Sequence, residues 1–289
     1  MNFDKEEAQL KQEMEEAEVV VIRSRFRITK ELLTRAKKLK CIARAGAGME
    51  NIDVVFATSQ GIRCVHAPEG NKDAVAEHAL GMLLMLLNHL NRADREVRNG
   101  VWLREANRGI ELNAKKVGIV GYGNMGSAFA QRLTGFGVEI LVYDKYKSGF
   151  ETGNIRECAM KELFDECDIV SLHVPLTAET NNLVCRDWIN QFRKPVYIIN
   201  TARGRCLNTA DLVEGIKHGK VLGACLDVLE YESVSFEKVE SSHLPLPFQE
   251  LIQSDQVVLS PHIAGWTQES NVKIASILAE KIIDVFHTK

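Results

Sequence analysis

The chain lacks most of what marks a membrane, secreted or nucleic-acid-binding protein. No apolar run can span a bilayer: the longest, residues 79–87, is followed at once by His89, Asn91 and Arg92. The opening Met1-Asn2-Phe3-Asp4-Lys5-Glu6-Glu7 is acidic and has no apolar core of a signal peptide. Neither charge sign prevails, since 36 Lys and Arg face 39 Asp and Glu for a net charge of −3. Such a balance gives no pull toward nucleic acid or an anionic membrane. The seven cysteines, at 41, 64, 158, 167, 185, 206 and 225, form no Cys-x-x-Cys pair. An odd count without metal spacing reads as buried free thiols in a reducing cytosol, so a cytoplasmic location and no metal site are expected. Tandem repeats and low-complexity segments are also missing. What remains is an ordinary globular composition, 45% hydrophobic and 26% charged, and 289 residues suit two domains or one large one.

The most informative feature present is Val117-Gly118-Ile119-Val120 running into Gly121-Tyr122-Gly123-Asn124-Met125-Gly126, with Asp144 closing the next apolar run. A strand, a Gly-x-Gly-x-x-Gly turn, a helix and a second strand ending in an acid form a dinucleotide-binding fingerprint. Gly121 permits the tight turn, Gly123 lets backbone N–H groups approach a pyrophosphate, and Gly126 lets the helix pack close to the strand. The helix N-terminus adds positive partial charge for the phosphates. Asp144 can accept from ribose hydroxyls and would repel a 2′-phosphate, which favours NAD over NADP.

More than a hundred residues precede this unit, so another domain or part-domain comes first. Residues 4–18 read as an exposed helix, Val19-Val20-Val21-Ile22 as a buried strand, and 29–38 as a helix. Cys41-Ile42-Ala43-Arg44 is a second strand entering the turn Ala45-Gly46-Ala47-Gly48; a helix from 51 to about 61 and a strand over 62–66 follow. This alternation predicts a small parallel sheet. One long apolar helix is expected over 73–90. Beyond it, strands are predicted at 117–120, 140–143, 169–173, 196–200, 224–226 and 257–260, which make a full doubly wound nucleotide-binding domain. Residues 233–242 read as a polar excursion, 246–252 as a short helix, and 268–286 as one amphipathic helix. The expected domains are 1–72 with 264–289, discontinuous, and 73–263.

Three segments past strand ends can supply chemistry. Asn200-Thr201-Ala202-Arg203-Gly204 offers an Arg, Asp227-Val228-Leu229-Glu230-Tyr231-Glu232 offers acids, and Ser260-Pro261-His262 offers a His. Open α/β sheets bind ligands at this end of their strands. Oxidising a 2-hydroxy acid needs a forked cation for the carboxylate and carbonyl. It also needs a base that titrates near the working pH, for which His is suited, and a carboxylate to orient that base. Singly, each has a plainer reading: a solvated Arg, a helix-capping acid, a surface His.

Seven strings, RAGAGMENID (44–53), AVAEHALGMLL (74–84), GIVGYGNMG (118–126), DIVSLHVPLTAET (168–180), NTARG (200–204), ACLDV (224–228) and SPHIAGWT (260–267), stand in an order that resembles the D-isomer specific 2-hydroxyacid dehydrogenase family. The wording lies nearest to its phosphoglycerate-oxidising members, and the resemblance runs from about residue 19 to the end. It implies a Rossmann NAD-binding domain and a smaller flavodoxin-like α/β domain. It makes His262 the acid/base, Glu232 its partner and Arg203 the ligand of the substrate carboxylate and carbonyl. Asp227 is then expected to hold the nicotinamide carboxamide. Gly121, Gly123, Asn124, Met125, Gly126 and Asp144 belong to the cofactor loop, Val174, Pro175 and Thr180 to the adenosine side. Ala47, Thr201, Ala202 and Gly265 also fall beside the cofactor, together with Arg203 and His262. Gly46, Ala47 and Gly48 offer N–H groups to the substrate carboxylate. Arg23, with Ser24, and Arg44 match residues that hold a substrate phosphate. His173 is expected to be positional, and His78 a packed or capping residue rather than a metal ligand.

The chain departs from the family in lacking the strand–helix–strand unit that usually comes first, so its small sheet should have about three strands with an uncovered edge or face. Trp102 resembles part of a crossing arm, which implies a homodimer. Together these readings imply an NAD-dependent oxidoreductase for a small 2-hydroxy or 2-oxo acid, with 3-phosphoglycerate and 3-phosphohydroxypyruvate, at the entry to serine synthesis, as the leading pair. Two rivals stand beside it: a glyoxylate, hydroxypyruvate or other 2-keto-acid reductase, and an NAD-sensing binding protein without turnover.

Overall fold

Short runs of Val, Ile, Leu and Cys, buried on both faces, are what parallel strands between helix layers require. In the computed structural model, which describes residues 3–232 and 244–287, such runs supply the central strands of two parallel sheets. The expected polar excursion at 233–242 lies outside the described residues. The chain divides into two units, one holding 3–72 and 266–287, the other 73–232 and 244–265.

In the first unit, β1 (Val19–Ile22), β2 (Cys41–Arg44) and β3 (Arg63–His66) pair in that order. The register sets Ile22 beside Arg44 and Arg44 beside His66. Helix α1 (Phe3–Glu16) contributes Met14, and α2 (Lys30–Arg35) contributes Leu32 and Leu33, to a core with Val20, Ile22 and Ile42. Helix α3 (Val54–Ser59) starts at Asp53, whose side chain accepts from the Phe56 N–H. The final helix, numbered α11 below (Gln268–His287), sets Ile274 and Leu278 against Ala43 and Ala67. As expected, the sheet has three strands among the described residues; β1 is an edge, and Val21 on it is 58% exposed.

In the second unit, β4 (Lys116–Val120), β5 (Glu139–Tyr143), β6 (Ile155–Glu157), β7 (Ile169–Leu172), β8 (Val196–Asn200), β9 (Val221–Leu226) and β10 (Val257–Leu259) lie in the order β10-β9-β8-β7-β4-β5-β6. Strand order reverses about β4, which makes the sheet doubly wound. Six of these strands coincide with the predicted ones to within a few residues. The seventh, β6, was not foreseen: of Ile-Arg-Glu only Ile155 is buried, so an edge strand this short leaves no apolar signal. Helices α4 (Lys72–Leu87), α5 (Leu90–Arg98), α6 (Asn124–Leu133), α7 (Met160–Glu166), α8 (Arg186–Asn190), α9 (Thr209–Lys217) and α10 (Leu246–Gln253) complete it. The long helix expected over 73–90 is broken. Asn88 turns its side-chain amide to the Leu84 carbonyl, and His89 adopts a left-handed φ of 51° before α5 begins. No helix among the described residues is long and apolar enough to cross a membrane.

Two hydrophobic clusters sandwich this sheet. One holds Trp188, Phe192 and Phe164 in edge-on contact; the other holds Phe129, Leu133 and the apolar face of α4. Helix α6 lies close because a Cβ on Gly126 would fall 2.0 Å from the Gly121 carbonyl oxygen. Gly126→Ala is therefore expected to destabilise this unit by about 1–3 kcal/mol, as overpacking does. Gly81→Ala, exposed on α4 with nothing within 4 Å of the new Cβ, should instead stabilise it by about 1 kcal/mol. Urea unfolding of both variants checks the opposite signs.

Candidate active site

The glycine loop forms as a turn that L side chains would resist. Gly121 has φ +96°, and a Cβ there would stand 2.6 Å from the His173 carbonyl oxygen, so the loop passes tightly over the end of β7. Gly123 is different: a Cβ on it would meet nothing within 4 Å. The protein's own packing does not ask for glycine at 123, and the backbone stays open on the side where a pyrophosphate fits the fingerprint. Asn124, exposed, and Met125, half-buried, open α6. Asp144 Oδ2 accepts from Tyr122 N at 2.7 Å, and Oδ1 from Tyr146 N at 2.8 Å and Lys147 N at 3.0 Å. Burial pushes the Asp144 carboxyl up, but those three N–H groups and the Lys147 charge outweigh it and hold it below the usual carboxylate range.

The next loops are built at the ends of β7, β8 and β9. Thr180 Oγ1 donates to the Pro175 carbonyl at 2.6 Å and accepts from Thr177 N, which shapes the segment after Val174. At the end of β8, Thr201 is 9% exposed, and its buried Oγ1 has no hydrogen-bond partner among the described residues. An orphaned buried hydroxyl at the same, carboxyl end of the parallel sheet as the glycine loop suits a site that takes a polar ligand. Ala202 N donates to Asn200 Oδ1, and Arg203 Nη1 donates to the Ala202 carbonyl at 2.6 Å. Gly204 lies against the next loop, where a Cβ would come 2.0 Å from the Leu229 carbonyl oxygen. The Arg203 segment is thereby pressed onto the segment that carries Glu232.

Glu232 and His262 meet. His262 Nδ1 lies 2.6 Å from Glu232 Oε2, and Glu232 Oε1 accepts the Leu229 N–H. The two side chains are 21% and 15% exposed. His262 sits at φ +55°, an unusual backbone state for a residue with a Cβ. Asp227 imposes it. Its carboxylate, 1% exposed, accepts from Ser260 Oγ at 2.6 Å and from the N–H groups of Ile263 and Ala264 at 2.9 Å, and its carbonyl takes the His262 N–H at 2.8 Å. Gly265 follows directly. Three of the roughly four lone-pair positions on this carboxylate are therefore used within the protein.

Ser260 was not foreseen, and His78 was expected only to pack or cap. His78 Nε2 lies 2.9 Å from Ser260 Oγ and 3.6 Å from Asp227 Oδ1, so α4 takes part in holding the 260–264 turn. The position of Ser260, between a strand and Pro261-His262, was the available signal. His173, expected to be positional, has Nε2 2.9 Å from Ser171 Oγ and a buried Nδ1 without a partner among the described residues.

The remaining expected residues belong to the first unit. Arg23 and Ser24 follow β1, and Arg44 ends β2 beside Ile22. Gly46 has φ +150°, a backbone state that L side chains rarely adopt, and Arg44 folds over it, with Nη1 1.5 Å from where a Cβ would stand. Gly46 and Gly48 are buried, and Ala47, half-buried, has its carbonyl against His66 Nδ1.

Residues 80–264 match the family model described as D-isomer specific 2-hydroxyacid dehydrogenase, NAD binding domain. The chain is 36% identical to a D-3-phosphoglycerate dehydrogenase of Archaeoglobus fulgidus over 96% of its own length and 51% of the relative's. It is 37% identical to a hydroxypyruvate reductase of Thermotoga maritima over 92% of its own length and 84% of the relative's. The chain thus spans about half of the phosphoglycerate dehydrogenase it matches. Among solved structures, D-lactate dehydrogenase from Aquifex aeolicus, complexed with NAD and lactic acid, superposes with a TM-score of 0.84 at 30% identity. That match covers 96% of this chain and 84% of the other.

Burial of His173 pushes its pKa down to about 3. The unfolded chain takes up this proton near pH 6.5, the folded protein only near 3, so acid stability is lost progressively as pH falls below 6.5. His173→Gln removes that loss. The stability gap between wild type and variant, from urea unfolding, should narrow by about 1–2 kcal/mol from pH 7 to pH 5. A constant gap would show that His173 titrates normally.

Proposed function

Because the chain belongs to the D-isomer specific 2-hydroxyacid dehydrogenase family, we propose that it interconverts a D-2-hydroxy acid and the matching 2-oxo acid with NAD. The observation that carries this reading is the His262 Nδ1–Glu232 Oε2 contact of 2.6 Å at the mouth of a nucleotide-binding sheet. NADH, when bound, supplies the hydride that reduces the 2-oxo carbon. His262 gives the proton that the new hydroxyl needs, and takes it back in the oxidising direction. Nδ1 is committed to Glu232, so this exchange falls to Nε2. Arg203 binds the substrate carboxylate and polarises its carbonyl. The cofactor rests on Gly121, Gly123, Asn124, Met125 and Gly126, with Asp144 toward its ribose. Val174, Pro175, Thr180, Thr201, Ala202, Asp227 and Gly265 complete that surface.

For the substrate we favour 3-phosphohydroxypyruvate and 3-phosphoglycerate, and hence a place in serine synthesis in the cytoplasm. Arg23 and Arg44, at the ends of adjacent strands, supply two cations for a dianion. The similarity to a hydroxypyruvate reductase supports the rival, a reductase of an unphosphorylated acid. The working form is a homodimer: Trp102 is 76% exposed, and Leu90, Val97, Val101, Leu103 and Ile110 near it in sequence are exposed as well.

Purified protein with NADH should oxidise it rapidly on 3-phosphohydroxypyruvate and more slowly on hydroxypyruvate, glyoxylate or 2-oxoglutarate. Activity on an unphosphorylated acid alone would select the rival. His262→Ala should lower the rate by roughly 10²–10⁴-fold, the usual worth of a positioned acid/base, with NADH binding retained. Normal turnover in that variant would refute the assignment, and NADH binding with no turnover on any acid in the wild type would point to a sensor.

A further inference from the structure

Arg23 does not extend loosely from its strand. Its guanidinium carbon lies 4.5 Å from the centroid of the Trp266 ring, and Nη2 donates to Asn271 Oδ1 at 2.9 Å. Both partners are themselves fixed. Asn271 Nδ2 donates to the Thr267 carbonyl at 3.1 Å, which directs Oδ1 to the arginine. Thr267 and Ser270 exchange backbone-to-hydroxyl hydrogen bonds at 3.0 Å, a reciprocal cap on α11. On the other side, Asn51, 6% exposed, donates to the carbonyls of Arg23 and Phe26 at 2.8 Å. Trp266 is 64% exposed, an unusual cost for so large an aromatic unless its face has a use.

We propose that Trp266 and Asn271 are positioning residues that set substrate choice. They hold the Arg23 guanidinium in one place at the carboxyl end of the small sheet, so an acid with a second anionic group, a phosphate ester, is preferred over its hydroxyl counterpart. This rests on the phosphorylated-substrate reading of Arg23 given above. Arginine otherwise loses much rotamer freedom when it grips an anion; here the ordering is already done before the ligand arrives. Asn271 takes one of the five guanidinium N–H donors, and the ring face takes none.

The test compares 3-phosphohydroxypyruvate with hydroxypyruvate, which differ only by the phosphate. Trp266→Ala should raise KM for the phosphorylated acid roughly fivefold, and Trp266→Ala with Asn271→Ala roughly tenfold, the scale of a lost cation–π contact and hydrogen bond. The kcat, and KM for hydroxypyruvate, should hold. Trp266→Phe, which keeps an aromatic face, should restore most of the difference. Equal losses on both acids would overturn the proposal, since the two residues would then serve the common part of the substrate or the fold. Arg23→Ala separates the two levels. If it raises KM for the phosphorylated acid but the Trp266 and Asn271 variants do not, the clamp is wrong and the phosphate reading survives. If Arg23→Ala changes neither acid, both fall. Calorimetric binding of 3-phosphoglycerate to the NADH-loaded protein gives the same comparison without turnover, and no binding by the wild type would refute both.

Discussion

A carboxylate that is 1% exposed must find its hydrogen bonds inside the protein, and Asp227 finds them in the turn that carries His262. Leaving such a charge unpaired would cost several kcal/mol, so the turn has little freedom to adopt another shape. The left-handed backbone at His262 costs about 1–2 kcal/mol and is tolerated because its N–H and the two that follow it all close on Asp227. The histidine ring is thereby delivered to Glu232, and Glu232 is itself held by the Leu229 N–H. One buried charge thus organises the residues to which we assign proton transfer.

The surrounding loops are kept in register by close backbone contact rather than by long side chains. Gly204 against Leu229 joins the Arg203 segment to the Glu232 segment, and Gly126 against Gly121 brings α6 onto β4. These contacts are rigid because no rotamer can relieve them. Gly123 departs from this pattern, open where its neighbours are tight, as a backbone that receives a ligand should be. In the smaller unit the same work is done by a buried amide, Asn51, which ties the Arg23 turn in place.

Much of this was legible in the sequence where the signal is local. Parallel strands buried on both faces leave apolar runs, so six strands of the large sheet were found, and the glycine spacing marked the cofactor loop. Local signals fail where few residues are buried, as in β6, or where two residues break a helix, as the Asn88 amide and the left-handed His89 do after α4. They also fail for partners far apart in the chain. Glu232 and His262 were paired only through family resemblance. Nothing in spacing tells which of Asp227, Glu230 and Glu232 faces the histidine, and the structure gives them three different tasks: Asp227 holds the turn, Glu230 accepts from Thr209 N, and Glu232 meets the ring. Arg23 and Asn271, 248 positions apart, carry no mutual signal in the sequence at all.

The most direct test of the proposed acid–base pair is single-turnover hydride transfer from NADH, followed by stopped-flow absorbance in Glu232→Gln with the best 2-oxo acid. Glutamine preserves size but cannot stabilise a charged imidazole. The transfer rate is expected to fall roughly 100-fold with the NADH dissociation constant unchanged. An undiminished rate would contradict the pairing on which the proposed chemistry depends.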